Sequence, residues 1–193
     1  MMKKATFKDQ NTIINILHTT FITETFPNSI NFVAKKDKKR SQSIYHLMKY
    51  QCKMALRFGE IFLSDDQLGC VLFLDSEKKK TTFTTLLWDM ELVIRCIGIS
   101  SIYNVLKREK ILKNNHPKIP FLHLWIMGTL PKYRSKGIGT KLLSEVLAYY
   151  KNEKPIYLET TTERNRNFYI KLGFKVFNET HVLDYPLYFL LKL

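Results

Sequence analysis

The chain has 193 residues, of which 45% are hydrophobic and 25% charged, the composition of an ordinary packed globular protein with enough length for one substantial core. Its longest apolar stretch, Leu92 to Leu106, is interrupted by Arg95, Gly98 and Asn104, so no membrane span is expected, and the polar start after Met1-Met2-Lys3-Lys4 does not read as an export signal; a cytoplasmic protein with no membrane partner is the expectation. The formal net charge of +14 points to an anionic partner, such as a nucleic acid, a membrane surface or a polyphosphate cofactor.

Cys52, Cys70 and Cys96 stand apart inside apolar patterns. That spacing argues against disulfides and zinc, and the five histidines show no paired ligand spacing, so no metal is expected. The basic runs Lys35-Lys36-Asp37-Lys38-Lys39-Arg40 and Lys78-Lys79-Lys80 read as solvated loops. Neither is interleaved with aromatic residues, so nucleic acid is not the expected partner despite the charge.

In chain order, residues 9–21 form a first helix with Ile13, Ile14, Leu17 and Phe21 on one stripe. Residues 41–58 form a second, with Ile44, Leu47, Met48, Met54 and Ala55 inward and Gly59 as the stop. Two strands, 60–63 and 69–74, flank an Asp65-Asp66 turn. Residues 85–114 are mostly helical with a break near Gly98-Ile99-Ser100, and Pro117 and Pro120 end them. The apolar and aromatic residues here, Phe83, Leu87, Trp88, Met90 and Tyr103, are expected mainly in the core. A strand over 121–129, a helix over 139–150, a strand over 156–160, a helix over 163–172 and strands over 174–177 and 185–191 complete a mixed α/β sheet in one domain, 1–193.

Arg134-Ser135-Lys136-Gly137-Ile138-Gly139 joins the 121–129 strand to the following helix. Glycines at a helix start let the backbone approach a ligand closely, and the free amides and the positive end of the helix dipole favour a diphosphate. Downstream come Tyr157-Leu158-Glu159-Thr160 and Asn165-Arg166-Asn167-Phe168-Tyr169-Ile170-Lys171-Leu172-Gly173-Phe174. Together, residues 124–177 resemble the acetyl-CoA-binding half of the GNAT superfamily of acetyltransferases. The Leu-Glu-Thr strand followed by Asn-x-x-Phe-Tyr is similar to the branch containing puromycin N-acetyltransferase.

The resemblance implies a single-domain α/β GNAT fold: a mixed, mostly antiparallel central sheet flanked by helices, with a helical insert before the cofactor strand. Residues 1–120 would be the acceptor-side half and 121–193 the acetyl-CoA-binding half. Its implied cofactor residues are Met127 and Thr129 on a strand that splays from its neighbour, the turn Arg134, Ser135, Lys136, Gly137, Ile138, Gly139 and Thr140, and Asn165 and Phe168; Lys141 adds charge at the same mouth. Asn165 reads equally as a helix N-cap. Ser135 replaces a glycine common in the family.

Tyr169 matches the tyrosine that protonates the leaving thiolate. The acceptor amine also needs a base, because at neutral pH only about one alkylamine in 10³ is unprotonated. Glu159 is one candidate. His123, on the same strand face as Trp125 and Met127 by a period of two, is another. The implied activity is direct transfer of an acetyl group from acetyl-CoA to a primary amine of a small molecule by a monomer or homodimer. The acceptor pocket is expected between the first two helices and residues 85–114, where Asp89 and Glu91 could draw a cationic amine. The alternatives are a peptide or protein amine as acceptor, or a non-catalytic module that binds CoA or nucleic acid.

Overall fold

The computed structural model describes residues 1–35, 38–151 and 153–193; of the first basic run, Lys36 and Asp37 lie outside the described residues. Strand β1 (Lys3–Lys4) precedes helices α1 (Gln10–Ile22), α2 (Ser29–Val33) and α3 (Arg40–Phe58), then the hairpin β2 (Gly59–Leu63) and β3 (Gly69–Asp75). The insert carries α4 (Phe83–Leu92), a π-helical turn (Val93–Ile97) and α5 (Ile102–Asn114). Strand β4 (Leu122–Thr129), α6 (Ile138–Tyr149), β5 (Ile156–Thr160), α7 (Glu163–Lys171), β6 (Lys175–Thr180) and β7 (Leu187–Lys192) follow. The strands form one sheet in the order β1-β2-β3-β4-β5-β7-β6. Among the described residues only β4 and β5 pair in parallel; the other pairings are antiparallel.

The helical periodicity read from the sequence is where the core sits. Ile13, Ile14 and Leu17 of α1 and Ile44, Leu47, Met48, Met54 and Ala55 of α3 are buried on one sheet face with Leu72 and Ile126. Leu142, Leu143 and Val146 of α6 bury the other face against Phe73, Leu124 and Leu158. A third cluster around Tyr157 and Phe189 lies under Leu112 of α5. All three cysteines are free and buried, in agreement with their apolar settings.

Two elements are additional to the sequence reading. Strand β1 is two exposed lysines, too short to show an alternation. Helix α2 is a five-residue helix capped by the Asn28 side chain, which accepts from the Asn31 amide at 2.9 Å. Arg40 corrects the view of its run as a solvated loop. It donates to the carbonyls of Ile22 at 3.0 Å and Glu24 at 2.6 Å and to Asn31 Oδ1 at 2.7 Å, closing the C-terminus of α1, where a cation is favoured by the helix dipole.

The insert differs more. Phe83 is 77% exposed, Met90 58% and Tyr103 77%, with Leu87 also exposed, so these residues are not core. Helix α4 lies on the outside of α3 and buries only its inner side, through Thr85 and the half-buried Trp88 and Leu92. Among the described residues no element covers its outer positions, and the apolar count of the segment therefore overstates its burial.

Candidate active site

Strands β4 and β5 pair only at Leu122↔Ile156 and His123↔Tyr157. Beyond His123 the two strands part, so β4 presents an open backbone edge toward β5. Pairing of β4 with β3 is continuous except at Trp125, which is bulged between Leu124 (opposite Phe73) and Ile126 (opposite Leu72). The bulge breaks the period of two. Trp125 and Ile126 both pack on the α1/α3 side, and Met127 turns with Leu122 and Leu124 to the α6/α7 side. Met127 therefore does not share a face with His123 and Trp125.

The opening is a cleft of about 1290 Å³, larger than the roughly 300–1,000 Å³ usual for one ligand. It is lined by Met127, Thr129, Arg134, Ser135, Gly137, Ile138, Gly139, Thr140, Asn165, Phe168, Tyr169, Glu159 and His123. Among the residues expected at the site, Lys136 and Lys141 do not line it. The Lys136 ammonium lies 5.2 Å from the centre of the Tyr133 ring.

At one end of the cleft the turn into α6 supplies amides. Gly137, the N-cap, has φ 79° and offers no capping side chain, and the first intrahelical bond runs from the Lys141 amide to the Gly137 carbonyl at 2.8 Å. The amides of residues 138–140 are thus left for a ligand. A Cβ on Gly139 would lie 3.4 Å from Met127 Cε and Thr129 Oγ1, so this glycine keeps open the floor of the cradle. Ser135 also lies in the left-handed region at φ 62°, which accounts for the preference for glycine at this position. The cations near the turn are engaged. Arg134 meets Glu24 Oε1 at 2.6 Å and donates to the Thr20 carbonyl at 3.1 Å, and Lys141 pairs with Asp65 at 3.2 Å.

Tyr169 projects from α7 between Phe168 and Phe174, with ring centroids 5.2 and 5.7 Å away. Its hydroxyl has no hydrogen-bond partner among the described residues. Burial, and then the charge of Glu159, push its phenol above the ordinary range, so it holds its proton at neutral pH. The N-cap of α7 is Thr162, whose hydroxyl accepts from the Asn165 amide at 3.2 Å. Asn165 is therefore not the cap, and its side chain borders the cleft.

His123 Nε2 lies 2.8 Å from Glu159 Oε2, and both side chains are almost fully buried. Burial opposes the charge on Glu159, but His123, by charge and hydrogen bond, and then Arg108 outweigh it and hold the carboxyl below its usual range. His116 stands beside them, its ring 5.8 Å from that of His123. Burial and then His123 push its imidazole down to about 4, so it is neutral at neutral pH.

The other end of the cleft is walled by α1, α3, α4 and α5. Phe21, Phe26, Tyr50 and Trp125 give it aromatic surface, while Asp89 and Glu109 give it carboxylates. Asp89 accepts from the Tyr50 hydroxyl at 2.7 Å. Glu91 does not line the cleft and instead faces Lys53 at 3.5 Å and Lys49 and Arg95 at 3.8 Å. Sequence reasoning missed Glu24, Arg108 and His116. Each is brought in by tertiary packing from outside the recognisable segment, and no local spacing marks it. Among the described residues no cluster of His, Cys, Asp or Glu could hold a metal ion.

Comparison with known proteins agrees with this geometry. Residues 90–176 match a family model described as an acetyltransferase (GNAT) domain. The structure is similar to a histone acetyltransferase HPA2-related acetyltransferase from Corynebacterium glutamicum (TM-score 0.69, 20% identity, covering 100% of this chain and 94% of that one). It is similar also to arylalkylamine N-acetyltransferase 2 from Aedes aegypti (TM-score 0.70, 15% identity, 100% and 98% covered). A third, an N-acetyltransferase from Staphylococcus aureus, gives a TM-score of 0.61 at 16% identity with both chains fully covered. The whole chain thus has the single α/β fold of these neighbours, and the GNAT acetyltransferase domain matched over residues 90–176 indicates an acyltransferase.

Proposed function

We propose that this chain transfers an acetyl group from acetyl-CoA directly to a primary amine of a small molecule. One observation carries the reading: the parting of β4 and β5 after two residue pairs, beside three uncapped amides of α6 and with Tyr169, Glu159 and His123 lining the same cleft. When bound, acetyl-CoA supplies an activated thioester. The residues fit it, because the positive-φ turn and the Cβ-free floor at Gly139 leave room and amides for a pyrophosphate. Arg134, Ser135, Gly137, Ile138, Gly139 and Thr140 would hold that group. The open edge of β4 at Met127 and Thr129 would pair with the amide arm, and Asn165 and Phe168 would flank it. The whole chain acts as one domain in this reading, with residues 1–120 forming the acceptor side and 121–193 the cofactor side.

Glu159, held ionised beside His123, accepts the proton that the acceptor ammonium must lose, directly or across the His123 ring. Without such a base only about one amine in 10³ is nucleophilic at neutral pH. Tyr169 keeps its proton and donates it to the departing sulfur. Neutral His116 adds no cation to the one, Arg108, that already faces the Glu159–His123 pair. The wall of aromatic residues and carboxylates around Asp89 suits a cationic amine with an apolar or aromatic body. The name of the Aedes aegypti neighbour describes that chemical class, and the Leu158-Glu159-Thr160 strand with Asn165, Phe168 and Tyr169 supports kinship with the puromycin N-acetyltransferase branch. A cytoplasmic monomer or homodimer is part of the proposal.

The test is release of free thiol from acetyl-CoA across a panel of small amines and peptides, paired with calorimetric binding of CoA. Uptake of CoA with turnover on small amines is expected. Failure of folded protein to take up CoA would remove the proposal, and turnover confined to peptides would transfer the acceptor to that class.

A further inference from the structure

We propose that the outward faces of α4 and α5 form a landing surface for an anionic lipid bilayer. Along α4 and the turn after it, Phe83, Leu86, Leu87, Met90 and Ile94 recur at helical spacing, and every one is exposed. Past the Gly98 turn, Ile99 is 83% exposed, Tyr103 77% and Leu106 62%, again one helical stripe. Eight large apolar side chains within 24 residues thus face water, whereas among the described residues the other α-helices expose only single ones, Tyr45, Tyr149 and Ile170. Isolated exposed apolar residues are normal, but a run of this density marks an interaction surface.

The charge of the segment selects the occupant. Residues 78–118 hold nine lysines and arginines against three carboxylates. Each of the three is already engaged within the protein: Asp89 by Tyr50, Glu91 by Lys53 and Glu109 by Arg108. Lys78, Lys79, Lys80, Arg95, Lys107 and Lys110 are exposed around the apolar stripes. An interfacial helix combines an apolar face with a lysine-rich rim, and lipid phosphates and carboxylates complete it. A second copy of this chain would bring two molecules of net charge +14 together, and like charges oppose that contact. A nucleic acid would engage the lysines but leave the apolar stripes in water. No helix of the described residues is long and apolar enough to cross a membrane, so the contact is peripheral.

Leu106, Lys79 and Lys80 also border the cleft, but Phe83, Met90, Ile94, Ile99, Tyr103, Lys107 and Lys110 do not, and the inference stands apart from the proposed reaction. Its test is co-sedimentation of the full chain with vesicles of phosphatidylcholine, alone or with about one-third phosphatidylserine, in low and high salt. Binding to the anionic vesicles, weakened by salt, is expected. The triple variant Phe83→Ser, Ile99→Ser, Tyr103→Ser should lower the partition at least about tenfold. Lys107→Gln with Lys110→Gln should lower it about fivefold per charge. Phe7→Ser, an exposed apolar site elsewhere, should leave it unchanged. Circular dichroism checks that each variant folds, as is expected of substitutions at exposed positions. Absence of binding to anionic vesicles, or binding insensitive to the triple variant, overturns the proposal. So does sedimentation velocity showing a dimer that the triple variant dissociates, because the face would then be an interface between copies.

Discussion

Replacing Tyr169 by Phe removes one oxygen and separates a chemical role from a structural one. The ring is buried between Phe168 and Phe174, and phenylalanine keeps those contacts. The hydroxyl has no hydrogen-bond partner among the described residues, so its loss leaves no buried group unsatisfied and should change stability by less than about 1 kcal/mol. A general acid typically contributes about 10²–10⁴ in rate, which at 1.36 kcal/mol per decade is about 2.7–5.4 kcal/mol of barrier. The expected result is therefore an unchanged thermal midpoint and CoA affinity with a fall of at least about a hundredfold in kcat. The assay is thiol release at saturating amine, alongside a thermal melt. The loss should be smaller when the thioester is replaced by one with a more acidic leaving thiol, since such a group departs without a proton. A kcat within threefold of wild type would refute the role; a lowered melting midpoint at normal kcat would assign the hydroxyl to packing.

Three further outcomes follow from single contacts. Glu24→Gln leaves Arg134 without its ion pair, and such a partly exposed pair is worth up to about 1 kcal/mol, so calorimetry should show CoA binding up to about fivefold tighter; weaker binding would mean that the pair orients Arg134 for the ligand. Ser135→Gly relieves a left-handed residue at φ 62° and should raise stability by up to about 1 kcal/mol in urea unfolding, whereas destabilisation would show that the serine side chain holds the turn. His116 binds a proton only below about 4 when folded and below about 6.5 when unfolded, so the unfolded chain binds more protons between those values and stability declines as pH falls from 6.5 to 4. His116→Gln should flatten that part of a melting-midpoint profile, leaving the lower fall in which Glu159 and other depressed carboxylates become protonated.

The legible parts of the sequence are those where local rules and the final environment agree. Helices α1, α3 and α6 show their buried stripes because each packs one face on the sheet, and the break at Gly98 is marked by the residue that adopts φ 81°. The turn into α6 is legible because glycine scarcity elsewhere makes Gly137 and Gly139 conspicuous. What escaped depends on partners far along the chain. Arg40 looks like one more residue of a charge run until α1 supplies its carbonyls. Asn165 looks like a cap because Thr162, three residues earlier, does that work with an equally suitable side chain. In α4 the apolar period was correct, but a period gives no sign of whether its outer face has a neighbour.

The bulge at Trp125 is the clearest case of a local irregularity that organises the site. Without it, period-two alternation would place His123, Trp125 and Met127 on one face. One inserted residue lets β4 serve both faces of the sheet: Trp125 packs on the α1/α3 face, which His123 shares, and Met127 and Thr129 face the turn at Gly139. The same strand is anchored by antiparallel pairing to β3 along its length while its other edge is released from β5 after two pairs. A continuous ladder on both edges would be more stable and would close the cleft. The sheet gives up those hydrogen bonds beside the Glu159–His123 pair, and in the proposed reaction that break in regular structure, more than any single residue, is what would admit an amide-bearing ligand.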